Sequence, residues 1–322
     1  VSGPAGVDVL TFGEVMLSVQ AEGPLAVGGG ARLTLAGAEA NVAVGLARLG
    51  HRARWAGRLG ADEPGRVALR ALRGEGVDVA HATLDPGAPT GAMLREARVA
   101  DLARVHYWRA GSAASRQRPE DLAPALAAGA RMLHLTGITA ALGEGPLACV
   151  REAARHGHAH GWTVVLDVNH RTRLWPAEAA AAALRPLLPH VDVLIASEDE
   201  LPLVAGPEAA AEEEQVASLL GSGVREVLIT RGGRGADRYA REAPGGVHAA
   251  APAVPVRDVV GAGDAFCAGY LSGLLDGLGP AERLARATTC GAFAVATSGD
   301  WEGLPHRDEL PLLHTPPGTT LR

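Results

Sequence analysis

The 322-residue chain contains no lysine; all 30 of its basic residues are arginine. They form no basic block, and with a net charge of -6 this argues against a nucleic-acid-binding surface. Any cationic side chain that meets a phosphate must therefore be an arginine. Asparagine is almost absent too, so Asn41 and Asn169 become candidates for work that another residue would not do. Cys149, Cys267 and Cys290 are few, scattered and odd in number. They fit reduced thiols in a cytoplasmic compartment better than a disulfide framework or a zinc motif. No apolar run reaches the roughly 18 residues of a membrane span. The opening VSGPAGVDVL lacks the basic-then-apolar order of a secretory leader. Aromatic residues make up only 3% of the chain, and nothing repeats at a fixed period.

Short β-branched or apolar runs alternate with Ala/Leu-rich stretches. The runs at residues 7–12, 54–59, 131–135, 163–167, 191–196 and 224–230 read as strands. Helical patterns lie at 40–49, 65–74, 146–156 and 177–188, and again at 265–278 and 281–297. Such alternation predicts a parallel sheet covered on both faces, with ligands at the carboxyl ends of the strands. Two segments break it, about 14–36 and 90–110. The second holds two strand patterns, 91–95 and 104–108. Together they predict a small accessory sheet, or lid. Residues 1–310 are expected to form one domain and 311–322 a frayed tail. The run Glu212–Glu214 reads as a solvated helix face.

The stretch DVVGAGDAFCAGYLSGLL, residues 258–275, is the most informative. Phe266, Tyr270 and Leu274 recur every fourth residue, so a helix begins near Asp264. Gly261, Ala262 and Gly263 then stand at a helix N-terminus, where free N–H groups bind anions. The motif lacks the Gly-Lys-Ser/Thr ending of a P-loop and the third glycine of a dinucleotide fingerprint. A carboxylate in such a cradle suits a general base. It would accept the proton of an alcohol while the amides hold the charge of a phosphoryl group moving from ATP. Asp264 as a mere helix cap is the bland alternative.

DVVGAGDAFCAGY resembles the C-terminal signature of the ribokinase-like (PfkB) carbohydrate kinases, and AGAEANVAVGLARLG, residues 36–50, looks like their N-terminal signature. The chain is most similar to the 2-keto-3-deoxygluconate kinases, through YWRAGSAAS, HLTGIT, LDVNHRTRLW, SEDE, TRGGRGA and SGDWEGLPHRDEL. The resemblance implies a three-layer α/β/α sandwich with a mostly parallel central sheet and a small β lid. It implies phosphorylation of 2-keto-3-deoxygluconate at its 6-hydroxyl by ATP and Mg2+, with Asp264 as base and Gly261, Ala262 and Gly263 as anion hole. Gly37, Ala38, Asn41, Met93, Tyr107, Arg109, Arg171 and Asp300 would meet the sugar acid. Asn169, Arg171, Thr230, Arg231, Gly232, Gly233, Gly235 and Thr288 would line the nucleotide site, with Gly261 and Gly263. Glu200 would serve Mg2+. Backbone carbonyls of residues 257–260 and 294–299 are candidates for a monovalent cation such as K+. A homodimer joined through the lid is a further expectation, with no nucleic-acid or membrane partner.

Ala36 replaces the first glycine of the N-terminal pair, Ser197 a usual asparagine, Met93 a substrate-facing tyrosine and Thr288 an asparagine. A kinase for fructose, another keto-sugar or a nucleoside remains an alternative. So does a non-catalytic sugar sensor. A nicotinamide-dependent oxidoreductase is disfavoured because no GxGxxG follows residues 7–12. His156, His158 and His160 read as a surface cluster, His134 as a core or hydrogen-bonded histidine, and Cys267 as packing rather than a nucleophile.

Overall fold

The computed structural model describes residues 6–99, 102–206 and 208–314. The strands are β1 (Val7–Thr11), β2 (Met16–Ala21), β3 (Ala31–Ala36), β4 (Ala53–Trp55), β5 (Arg58–Gly60), β6 (Thr83–Asp85) and β7 (Ala92–Val99). They continue as β8 (Leu102–Trp108), β9 (Ala130–Thr136), β10 (Thr163–Asp167), β11 (Val193–Ser197), β12 (Glu226–Thr230), β13 (Ala236–Ala240) and β14 (Ala243–Ala249). The α-helices are α1 (Ala38–Arg48), α2 (Glu63–Gly74), α3 (Pro119–Ala127), α4 (Gly137–Ala140) and α5 (Glu144–Ala159). After them come α6 (Ala177–Leu184), α7 (Leu201–Ala205), α8 (Glu212–Gly221), α9 (Ala262–Leu275) and α10 (Pro280–Val295).

Eight strands form the central sheet in the order β14-β13-β12-β11-β10-β9-β1-β4. The six from β12 to β4 run parallel, and β13 and β14 extend the sheet as an antiparallel hairpin. Apolar residues alternate between its faces, as the period of a strand requires. Val9, Val165 and Leu228 pack on one side with α1, α2, α9 and α10. Leu10, Leu166 and Ile229 pack on the other with α3, α5, α6, α7 and α8. The result is the expected three-layer sandwich. Helix α9 is buried all round from Asp264 to Gly273, which is why large Phe266 and Tyr270 and small Ala265, Gly269 and Gly273 are all enclosed.

A second sheet, β3-β2-β7-β8, forms the lid over the strand ends. Arg95 of β7 pairs with Asp258 through both carboxylate oxygens, and Thr34 of β3 donates to Glu302 Oε1 at 2.5 Å. These contacts tie the lid to the segment before α9 and to the loop after α10.

Three expectations need correction. The run 54–59 is two strands: the chain turns at Ala56 and Gly57, so β4 joins the central sheet while β5 pairs with β6. The helix expected over 177–188 ends at Leu184 and tightens into a 3-10 turn, Arg185–His190, because Pro186 and Pro189 cannot donate to an α ladder. Residues 311–314 belong to a 3-10 helix, Arg307–His314, rather than to a frayed tail. Residues 315–322 of that tail lie outside the described residues. The hairpin β13–β14 had no counterpart among the expected strands.

Candidate active site

The carboxyl ends of the parallel strands, the N-terminus of α9 and the inner face of the lid enclose a cavity of about 1130 Å³. That volume suits two substrates better than one sugar. Gly37, Ala38 and Asn41 line it from the start of α1, and Met93, Tyr107 and Arg109 from the lid. Asn169, Arg171, Glu200 and Thr230 come from the strand ends. Gly261, Gly263, Asp264 and Asp300 close the remaining wall.

Asp264 stands in the first turn of α9, whose early amides have no partner within the helix. Burial pushes its carboxyl up to about 6, against the hydrogen bond from Asn41 and the charge of Arg171, which pull it down. Asn41 Nδ2 donates that bond at 2.7 Å. Asn41 Oδ1 has no partner and remains an acceptor for a hydroxyl. Gly261 precedes the helix at φ 76°, and a Cβ there would lie 2.1 Å from the carbonyl oxygen of Asp300. Both facts require glycine. Asp300 is buried with Oδ2 unpartnered; burial, then the charges of Asp264, Glu302 and Asp258, push its carboxyl to about 7.

The lid presents Met93 and Tyr107 as cross-strand partners on its inner face. The Arg109 guanidinium lies 5.6 Å from the Tyr107 ring centroid. It also pairs with Glu14 at 2.5 Å, and Ser112 donates to the same carboxylate at 2.8 Å. Glu14 is buried, which raises its carboxyl above the ordinary range despite Arg109. Arg109 is thus largely neutralised, although its Nε lacks a partner. Arg171 and Arg173 also line the cavity, and neither has an ion pair with a described residue. Arg173 instead donates to the Val105 carbonyl oxygen at 2.7 Å, joining the β10 loop to the lid.

Asn169 has a φ of 37°, the one positive value among described non-glycine residues, and sits beside Asp167 with a 3.2 Å hydrogen bond. Asparagine tolerates that conformation, and Asn169 lines the cavity from the loop after β10. Glu200 fixes the same loop: its oxygens accept the amides of His170 at 2.6 Å and Ser197 at 2.9 Å. Glu200 lines the cavity and carries the hard carboxylate oxygens that Mg2+ takes, so its chemistry fits that ion. Asp167 is raised well above its ordinary value by burial, then by the charges of Glu200 and Asp264. The segments 257–260 and 294–299 adjoin, but Val295 O already accepts the amides of Arg257 and Asp258.

Other expected residues do not meet the cavity. The Arg231 guanidinium is held by Glu198, Glu212 and Asp237 and is not free for a phosphate. Gly232 and Gly233 form a 3-10 turn beside it, and Gly235 packs against the Ala249 carbonyl. Thr288 spends its hydroxyl on Ala285 O of its own helix. Ala262 opens α9 behind Gly261 and Gly263.

Glu14, Glu39, Asp167 and the Arg95–Asp258 pair were not singled out from sequence. Glu39 is buried, with Thr136 donating at 2.5 Å and Thr139 also donating. Burial, helped by the charge of Asp264, lifts its carboxyl to about 7 against those two hydroxyls. Carboxylates next to strand ends, in FGEV and LDVN, were the available signal.

The family model described as pfkB family carbohydrate kinase matches residues 8–307. The 2-dehydro-3-deoxygluconokinase of Thermoproteus tenax is 36% identical over 94% of this chain and 92% of that protein. The protein of that name from Bacillus subtilis (strain 168) is 34% identical over 94% of each. The crystal structure of a PfkB protein from Polaromonas sp. JS666 superposes with a TM-score of 0.83 at 35% identity, covering 95% of this chain and 99% of that one.

Proposed function

The chain belongs to the pfkB family of carbohydrate kinases, phosphotransferases acting on a sugar hydroxyl, and on that premise we propose that it phosphorylates 2-keto-3-deoxy-D-gluconate at the 6-hydroxyl with ATP and Mg2+. The observation that carries this is Asp264, buried at the N-terminus of α9 between sugar-side Asn41 and the cavity-facing glycines. A base with a carboxyl near 6 is ionised at neutral pH yet close enough to it to take a hydroxyl proton. As the O–H bond breaks, the oxygen forms its bond to the γ-phosphorus and ADP leaves. The amides of Gly261 and Gly263, which line the cavity, hold the charge on the transferring oxygens. Glu200 would help hold the Mg2+ that accompanies ATP, and that ion would supply neutralisation of phosphate charge.

Arg171, which lines the cavity without an ion pair to a described residue, is the first candidate for an anionic group of either substrate, with Tyr107 and the Arg109 Nε adding hydrogen bonds. Leu33 and Trp108 are exposed on the outer face of the lid, which supports a second copy covering it. One observation favours a second reading, a neutral ketose: Glu14 cancels the charge of Arg109. ATP turnover against a panel of 2-keto-3-deoxygluconate, its galacto epimer, fructose and a nucleoside tests the assignment. Highest kcat/KM for the gluco acid supports it, and preference for fructose or a nucleoside overturns it.

A further inference from the structure

Cys267 lies one turn beyond Asp264 on α9, and its Sγ donates to Asp167 Oδ2 across 3.7 Å. His134, on β9 beside β10, is wholly buried. Its Nδ1 is 3.0 Å from Thr11 Oγ1, and its Nε2 has no partner at all. One ligand atom from each of His134, Asp167 and Cys267 lies within 4.8 Å of the others. A buried ring nitrogen without a partner costs free energy that its neighbours here do not offset. A histidine held through one nitrogen with the other left over is the arrangement that metal ligation uses. Asp167 and Cys267 line the cavity, so an ion has a path from solvent.

We propose that His134, Asp167 and Cys267 form a site for a borderline divalent transition-metal ion such as Zn2+ in the floor of the cavity, and that filling it stops phosphoryl transfer. One sulfur, one nitrogen and one oxygen donor select such an ion over Mg2+, and three protein ligands leave a position open to the cavity. On binding, the Cys267 S–H bond breaks, the proton goes to solvent and a sulfur–metal bond forms, with no change of oxidation state. The ion then sets positive charge one helical turn from the base and weakens it. Sequence spacing gives no sign of this site, because its ligands come from three separate elements.

The inhibitory half rests on the proposed kinase reaction, and the binding half does not. The histidines at the end of α5 would compete for metal, since the His156 and His160 rings stack at 3.9 Å. The test therefore uses the H156A/H160A protein as background. Metal-free protein is titrated with Co2+ and watched for a thiolate-to-cobalt charge-transfer band in the near ultraviolet. One equivalent should raise the band, Zn2+ should displace it, and Cys267→Ala should abolish it. No band in the background protein, or a band that survives Cys267→Ala, overturns the site. In parallel, Zn2+ is titrated into the ATP turnover of both proteins, each scored against its own metal-free rate. The half-inhibiting concentration should rise at least about tenfold in Cys267→Ala. Equal inhibition of both proteins, or of neither, overturns the inhibitory half. Absence of turnover with every sugar would count against the kinase reading, while the cobalt band would still judge the site.

Discussion

Asn41 Nδ2 donates a 2.7 Å hydrogen bond to Asp264 Oδ2, joining residues 223 positions apart. The bond unites the two glycine-bearing motifs in one centre and favours the ionised form of the carboxylate that burial holds near 6.

The acid limb of kcat/KM should therefore fall near pH 6, with activity lost as Asp264 takes a proton. Asn41→Leu removes a donor to the charged form, so the carboxyl rises. The limb should move to higher pH by about one unit, the size expected for one hydrogen bond to a charged group. A pH–rate profile checks this, and an unmoved limb would separate Asn41 from the base.

Arg109 and Glu14 form a pair that is safer removed together than singly. Arg109→Ala leaves Glu14 buried without its cation, which should cost about 3 kcal/mol of stability. Glu14→Gln with Arg109→Gln should recover most of the loss in urea denaturation. Glu14→Gln alone frees the guanidinium charge and should lower KM for the sugar acid more than for fructose. Equal shifts for both sugars would remove Arg109 from carboxylate recognition.

Arg171 and Arg234 differ in what they face. Arg171 lines the cavity without an ion pair to a described residue, whereas Arg234 is largely exposed and held by Glu198. Arg171→Ala should lower kcat/KM at least about tenfold, the order of one lost charged contact. Arg234→Ala should change it less than about twofold. Steady-state kinetics with ATP varied decide, and equal small effects would take Arg171 out of the site.

Asp300 has a carboxyl raised to about 7 in the folded protein, so the fold binds its proton more tightly than the unfolded chain does. Its contribution to stability is complete below the ordinary carboxylate pKa, about 4, and is lost as pH rises through about 7. His134, lowered to about 3 by burial, acts in the opposite direction and is common to both proteins compared. Asp300→Asn cannot ionise. The melting temperature of the variant minus that of the wild type should thus increase from pH 5 to pH 8. A constant or falling difference would contradict the shift.

Much of the site was legible because its motifs act through backbone. Gly261 and Gly263 at the start of a helix suggest an anion cradle wherever the helix points, and two asparagines in a chain that otherwise lacks them both reached the cavity. Side-chain pairing was not legible. The family resemblance implied that Arg231 lines the nucleotide site, but Glu198, Glu212 and Asp237 converge on it only after three elements pack. Arg109 met Glu14 for the same reason. The hairpin β13–β14 escaped because Gly245 and Gly246 interrupt its second strand and weaken the strand pattern.

The most direct measurement is the turnover of Asp264→Asn with saturating ATP, Mg2+ and 2-keto-3-deoxygluconate, beside calorimetric binding of both substrates. Asparagine keeps the shape and the helix start but cannot take a proton. Turnover should fall at least about 10²-fold while both substrates still bind. Turnover near that of the wild type would contradict Asp264 as the base.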